Sequence, residues 1–305
     1  MESAEMPTIV ILGCGYIGIE LGRQLTDEGH DVVGVRRSDT GCTAIEEAGF
    51  TAHQADLTSQ PDRAELPEAD WVVFAASSGG RNAEAAKQIY VDALAAVIEE
   101  YGSRESTPDR LVYTSSTGVY GDHDGEWVDE STPLEPTTDK TEVLLEAERI
   151  ALEESPKHGI DGTVARFSGL YGPDRYRLER YSKGPVTEGY LNMVHQEDAA
   201  GAVGYLLTAD CARGEAVVVT DNEPVDKWEF ADWLAAECGL DSPPKRTKKQ
   251  RLTDESLSEA GRRRILTSKR CSNDYLRTLG YELRYPTFRE GYQAAIVDYR
   301  EETDS

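Results

Sequence analysis

Positive charge is what this sequence is short of. Only 32 lysines and arginines stand against 57 aspartates and glutamates, a formal net charge of −25. A surface of that sign repels nucleic acid and anionic lipid, so the expected partner is a small-molecule substrate, with no nucleic acid and no membrane. Cysteine is scarce as well: Cys14, Cys42, Cys211, Cys238 and Cys271 are odd in number, scattered and without CxxC spacing. That excludes a disulfide framework and a thiolate zinc site, and no metal is expected. No apolar run approaches the roughly 20 residues a membrane-spanning helix needs. Residues 1–7, MESAEMP, lack the basic start and apolar stretch of an export signal, which points to the cytoplasm. Internal repeats and low-complexity linkers are also missing. Arginine outnumbers lysine within the small basic set, and with the acidic excess this reads as adaptation to a cytosol of high salt, where screening shortens the reach of like-charge repulsion.

What is present is an alternation of short apolar runs and amphipathic stretches. Thr8–Leu12 is a strand pattern ending in glycines, followed by a helical pattern over 17–28 and a second strand over 31–35, one βαβ unit. Further strand patterns fall at 51–53, 71–75, 110–114, 163–166 and 216–219, with helical patterns at 83–101, 141–154 and 197–207 between them. The alternation predicts an α/β, Rossmann-type doubly wound parallel sheet covered on both faces. Residues 1–166, completed by about 190–222, are expected to form the dinucleotide-binding core. Residues 167–189 and 223–305 are expected to form a smaller, discontinuous substrate-binding subdomain, with helical patterns over 225–238 and from Phe288 onward. A polar stretch, 242–270, holds Lys245, Arg246, Lys248, Lys249, Arg251, Arg262, Arg263, Arg264, Lys269 and Arg270. This basic island reads either as a solvated loop or as a clamp for an anionic substrate group.

The segment Gly13-Cys14-Gly15-Tyr16-Ile17-Gly18 is a GxGxxG loop placed directly between a strand and a helix, the context that gives the pattern its mechanism. Gly13 permits the tight turn, Gly15 lets backbone approach a pyrophosphate, and Gly18 lets helix lie close on strand. The helix start, at Tyr16 and Ile17, offers N–H groups and partial positive charge to phosphate. About twenty residues on, where an NAD site carries an acid for the ribose 2′-hydroxyl, the chain reads Val35-Arg36-Arg37-Ser38. Arg36, Arg37 and Ser38 suit a 2′-phosphate, so NADP is the expected cofactor; Asp39 keeps NAD as the alternative. Asp56 and Leu57 after the third strand, and Ala75, Ala76 and Ser77 after the fourth, fall where loops line the adenine and ribose pockets.

With these loops in order, the chain resembles the extended short-chain dehydrogenase/reductases, the family of nucleotide-sugar epimerases and dehydratases. The resemblance covers nearly the whole chain. It rests on the glycine loop (with Leu12 where many members carry one more glycine), on Ala55-Asp56-Leu57, and on the run from Thr114 to Gly121, TSSTGVYG. It rests also on RFSGLYGP from Arg166 to Pro173 and on NMVHQED from Asn192 to Asp198. It implies that Ser115 lines the cofactor site and that Ser116 is the catalytic serine, orienting a substrate carbonyl or alcohol. The family's proton donor is a tyrosine followed four residues later by a lysine on the same helix face. Aligned on Pro136, this chain has Thr137 and Thr141 at those positions, and a threonine hydroxyl is far too weak an acid for the task. The segment from Tyr120 to Glu130, YGDHDGEWVDE, with the closing KRCSN from Lys269 to Asn273, resembles an atypical, YeeZ-like branch of the family that also lacks the pair. Tyr120, Tyr171, Lys140 and His195 are the substitute donors the motif loops offer, with Tyr120 and Tyr171 joining Ser116 as the catalytic candidates. The function expected is an NADP(H)-binding oxidoreductase or epimerase-like protein acting on a small hydroxy or carbonyl substrate, a nucleotide sugar among the candidates. The alternative is a non-catalytic NADP-binding sensor or regulatory protein. Relatives pair through two helices, here 83–101 and 141–154, and either a monomer or a homodimer is expected.

Overall fold

Short runs rich in valine and isoleucine build the centre of the molecule: β1 (Thr8–Leu12), β2 (Asp31–Arg36), β3 (Thr51–Gln54), β4 (Trp71–Phe74), β5 (Arg110–Ser116), β6 (Asp161–Phe167) and β7 (Ala216–Val219). In the computed structural model, which describes residues 6–79 and 83–304, they form one seven-stranded parallel sheet in the order β7-β6-β5-β4-β1-β2-β3. Ile9, Val10, Ile11 and Leu12 are all 0% exposed, as a parallel strand covered on both faces requires. Leu12 lies opposite Val35 on one side and Phe74 on the other, so β1, β2 and β4 end level and their loops emerge together. The strand order reverses at β1 and β4, the switch point beside which open α/β sheets bind ligands.

The helices that cover the sheet start close to where the patterns place them. α1 (Tyr16–Asp27) buries Leu21 and Leu25, and α2 (Asp39–Glu47) is capped by Ser38, whose hydroxyl accepts the Gly41 N–H at 3.2 Å. The expected helix over 83–101 is three consecutive stretches, Ala83–Lys87, a π-helical Gln88–Ala93 and Leu94–Gly102. The one expected over 141–154 starts two residues earlier as α3 (Asp139–Arg149) and widens into a π-helical Ile150–Glu154. Lys140 thereby falls in a helical first turn.

By internal contacts the chain forms two compact units, Met1–Ser116 with Asp139–Arg166 and Ala199–Val217, and Thr117–Thr138 with Phe167–Asp198 and Val218–Ser305. The sequence reading kept 117–138 with the core; the structure puts it in the second unit, where β-bridges pair Trp127–Val128 with Arg270–Cys271. The second unit has its own core of Tyr171, Tyr181, Phe230, Phe288 and Tyr292. The pattern over 225–238 resolves into a short strand, Val225–Asp226, and a helix, Lys227–Glu237, because the Asp226 carboxylate accepts the Trp228 and Glu229 N–H groups and starts the helix there. The polar stretch 242–270 is structured rather than a solvated loop: a Thr247–Gln250 capping box starts one helix, Lys248–Leu252, and Ser258 caps another, Glu259–Leu266.

Candidate functional site

The glycine loop owes its shape to contacts that a side chain would destroy. Gly13 has φ of +83°, and a Cβ there would sit 2.1 Å from Cα of Ala76 in the loop after β4. Its N–H and that of Cys14 both bond the Val35 carbonyl, at 3.1 and 3.0 Å, which ties the turn to the end of β2. A Cβ on Gly18 would meet the Ile11 side chain at 3.0 Å, so only glycine lets α1 lie this close on β1. Gly15 is the N-cap of α1 and no side chain caps the helix, leaving its first turn as the donor surface of the loop. Cys14 faces the interior, where burial pushes its thiol up to about 12, so it is a filler and not a nucleophile.

Arg36 crosses the mouth of this loop. Its guanidinium donates to the Cys14 carbonyl at 3.3 Å, and its Nη1 lies 2.8 Å from where a Gly15 Cβ would be. A side chain at 15 would therefore displace the Arg36 guanidinium from the loop mouth. Arg37 is exposed and lies 3.8 Å from the Asp56 carboxylate. Ser38 spends its hydroxyl on the α2 cap, and Asp39 accepts a bond from Gln54 at 2.8 Å. Asp56 is held by Thr58, whose N–H and hydroxyl both reach one carboxylate oxygen, while Leu57 is buried and its carbonyl accepts from Arg63. Arg37, His53, Gln54, Asp56, Asp62 and Glu65 line an open cleft at the end of β3.

At the ends of β4 and β5 the structure separates residues that the sequence grouped. Ala75 continues the sheet by bonding the Leu12 carbonyl at 2.8 Å, and Ala76 is the residue against which Gly13 packs. Ser115 points away from the loops: its hydroxyl donates to Glu148 of α3 at 2.6 Å. Glu148, 1% exposed, also holds Arg166 of β6 through a bidentate pair at 2.8–3.2 Å. This buried network joins strand, helix and strand beneath Ser116, the last residue of β5. The sequence reading missed Glu148, though an acid on the apolar face made by Leu144, Ala147 and Ala151 was a signal for it.

In the second unit, Tyr120 is 0% exposed and Tyr171 2%. Tyr171 stacks on Tyr292 at 5.0 Å, its hydroxyl has no hydrogen-bond partner, and burial together with the Asp221 and Asp198 carboxylates drives its pKa far upward. Such a phenol retains its proton and does not suit acid–base work near neutrality. His195 is equally committed. Its Nδ1 accepts the Glu197 N–H at 3.3 Å, which leaves the hydrogen on Nε2, facing the Tyr176 hydroxyl at 3.4 Å. Three cations of the basic island are engaged within the second unit. Lys269 is buried and donates to the Gly121 carbonyl, Arg270 donates to the Gly125 carbonyl and lies over Trp127 and Tyr190, and Arg262 donates to the Leu252 and Asp254 carbonyls. These cations hold the second unit together. Among the described residues no group of three or more His, Cys, Asp and Glu is arranged to hold a metal, and no helix is long and apolar enough to cross a membrane.

Residues 9–216, from β1 to the start of β7, match the NAD dependent epimerase/dehydratase family. The chain belongs to that family. Protein YeeZ of Escherichia coli K12 is 28% identical over 288 residues, 92% of this chain and 97% of YeeZ. A functionally unknown conserved protein from Silicibacter pomeroyi DSS superposes with a TM-score of 0.77 at 28% identity, over 96% of this chain and 99% of that one. The UDP-glucuronic acid 4-epimerase of Bacillus cereus, solved with UDP-glucuronic acid and NAD, has a TM-score of 0.75 at 18% identity, over 97% and 99% of the two chains, a likeness of fold. As a member of this epimerase/dehydratase family the chain has a nicotinamide-dinucleotide-binding fold, with its glycine loop at the switch point of the sheet.

Proposed function

We propose that the protein binds NADP(H) at the Gly13–Gly18 loop and is an oxidoreductase or epimerase-like enzyme acting on a small hydroxy or carbonyl substrate. The observation that carries the cofactor assignment is Arg36, held across the loop mouth by the Cys14 carbonyl, with Arg37 and Ser38 following it. A guanidinium at the end of β2 favours a ribose 2′-phosphate, whereas the next acid in the chain, Asp39, is engaged by Gln54. NAD, which the Bacillus cereus neighbour binds, is the alternative.

The residues present fit a dinucleotide: side chains are missing at Gly13, Gly15 and Gly18, where backbone must come close, and the first turn of α1 faces the gap. When bound, the nicotinamide supplies hydride transfer. The chain itself binds the phosphates through α1 and Arg36, and the family resemblance gives Ser116 the task of orienting the substrate oxygen. The Glu148–Arg166–Ser115 network holds the end of β5 rigid beneath it. The substrate class we favour is a nucleotide sugar, on the strength of the Bacillus cereus fold neighbour and its UDP-glucuronic acid, with substrate binding assigned to the second unit. Burial of Tyr120 and Tyr171 favours the second reading, a non-catalytic NADP-binding sensor, unless another acid serves.

Titration with NADPH and with NADH, followed by nicotinamide fluorescence in molar KCl, tests the reading. NADPH is expected to bind more tightly, and Arg36→Ala to weaken NADPH by about 10-fold or more while changing NADH little, the loss of one charge-assisted contact. Equal losses for both nucleotides would reassign the cofactor to NAD, and failure of the wild type to bind either would overturn the proposal.

A further inference from the structure

We propose that Tyr90, with Lys140 beside it, is the acid–base pair of this site. The inference rests on the cofactor reading above and supplies the proton donor that reading lacks.

Tyr90 lies in the π-helical stretch Gln88–Ala93, where the helix after β4 widens by part of a turn. Such stretches recur where a side chain must be re-aimed, often at functional sites. Its ring is packed, 7% exposed, and its phenol oxygen accepts the backbone N–H of Ser78 at 3.4 Å. Ser78 belongs to the loop after β4 whose Ala76 closes on Gly13, so the phenol stands at the carboxyl edge of the sheet beside the glycine loop.

Lys140 stands at the start of α3, which packs against the π-helical stretch Gln88–Ala93. Positions 140, 144 and 148 share one helix face. Leu144 and Glu148 on that face are buried, and Glu148 bonds Ser115, the neighbour of Ser116. Lys140, two turns nearer the start of α3, is exposed, and its ammonium acts on the phenol through space. The groups acting on Tyr90 are Ser77 and Ser78 from the loop, Lys140 from α3, and, on the β5 side, the Tyr113 phenol. Burial opposes ionisation of Tyr90, but hydrogen bonds from Ser77 and Ser78 and the Lys140 ammonium outweigh it and bring the phenol below its ordinary value. Tyr113 behaves differently: it is 0% exposed, its hydroxyl has no hydrogen-bond partner, and deeper burial, with Tyr90 and Glu148 as neighbours, drives its pKa far upward.

The proton step balances. In oxidation the O–H bond of a substrate alcohol breaks and its proton passes to the Tyr90 phenolate oxygen, while the hydrogen on the adjoining carbon leaves as hydride to an oxidised nicotinamide dinucleotide. In reduction the hydride passes from a reduced nicotinamide dinucleotide to the carbonyl carbon, while the Tyr90 O–H bond breaks and its proton passes to the carbonyl oxygen, leaving the phenolate.

Tyrosinate absorbance titrated against pH in the full-length wild type and in Tyr90→Phe isolates one phenol out of 15. The expected difference curve is a single group titrating below the ordinary tyrosine value of about 10, moved upward by Lys140→Met and restored by Lys140→Arg. A difference curve at or above that value, or one that Lys140→Met leaves in place, overturns the pairing. In parallel, NADP with UDP-glucose or UDP-glucuronic acid as probe is expected to be turned over by the wild type, and Tyr90→Phe to cut turnover about 100-fold or more with unchanged NADPH affinity. Full turnover by Tyr90→Phe overturns the inference alone. Loss of NADPH binding by the wild type overturns the cofactor reading, which the tyrosinate titration does not depend on. A wild type that binds NADPH and turns over neither probe counts for the sensor and against the catalytic role of Tyr90.

Discussion

Gly13 shows how much one residue carries. Its positive φ and its contact with the Ala76 backbone leave no room for a methyl group, so Gly13→Ala has to push the β1 and β4 loops apart. The expected result is loss of NADPH binding together with destabilisation of more than about 1 kcal/mol, read from urea unfolding and nicotinamide fluorescence. A variant that binds NADPH as the wild type does would remove the loop from the cofactor site. Glycines of this kind are legible in the chain because their spacing and their place after a strand are local facts. The tyrosines are not. Tyr120 and Tyr171 sit in motif loops and read as donors, but one is 0% and the other 2% exposed, while Tyr90 sits in no motif and came to notice only from its position against Ser78.

Among the elements, α3 is the one whose sequence says least about its duty. The pattern places a helix near 141–154; the structure starts it at Asp139 and gives it a π-helical end. Gly162 of β6 comes so near the widened turn that a Cβ there would lie 1.7 Å from the Ala151 carbonyl oxygen. On the inner face Glu148 ties α3 to β5 through Ser115 and to β6 through Arg166. Because Arg166 is only 5% exposed, Glu148→Ala leaves a buried charge uncompensated and is expected to cost about 3–5 kcal/mol in urea unfolding. Replacing both partners by Leu and Met should cost less than that single change. A loss below about 1 kcal/mol for Glu148→Ala would mean that the network does not bear on stability. The polar stretch 242–270 illustrates the same limit from the other side: it reads as loop because its short helices start on a Thr247–Gln250 box and a Ser258 cap and have too few turns to show a period.

Across the whole molecule, a net charge of −25 is a standing repulsion. Salt shortens its reach from about 10 Å at 0.1 M to about 3 Å at 1 M, while compact ion clusters such as Arg213 with Asp109, Asp161 and Asp210 gain little from dilution. Thermal unfolding is therefore expected to shift upward by several degrees from dilute buffer to molar KCl; a Tm that stays level or falls would show that ion pairing outweighs repulsion. The sequence alone determined the alternation of strands and helices, the glycine loop at the end of β1, the arginines at the end of β2 and the family. All of these are written in short-range period and spacing. Only the tertiary structure decided that Ser115 turns inward to Glu148, that Arg262, Lys269 and Arg270 bind backbone carbonyls, and that Tyr171 is sealed while Tyr90 meets Ser78. Burial and partnership depend on residues tens of positions apart in the chain, and a local pattern holds no record of them.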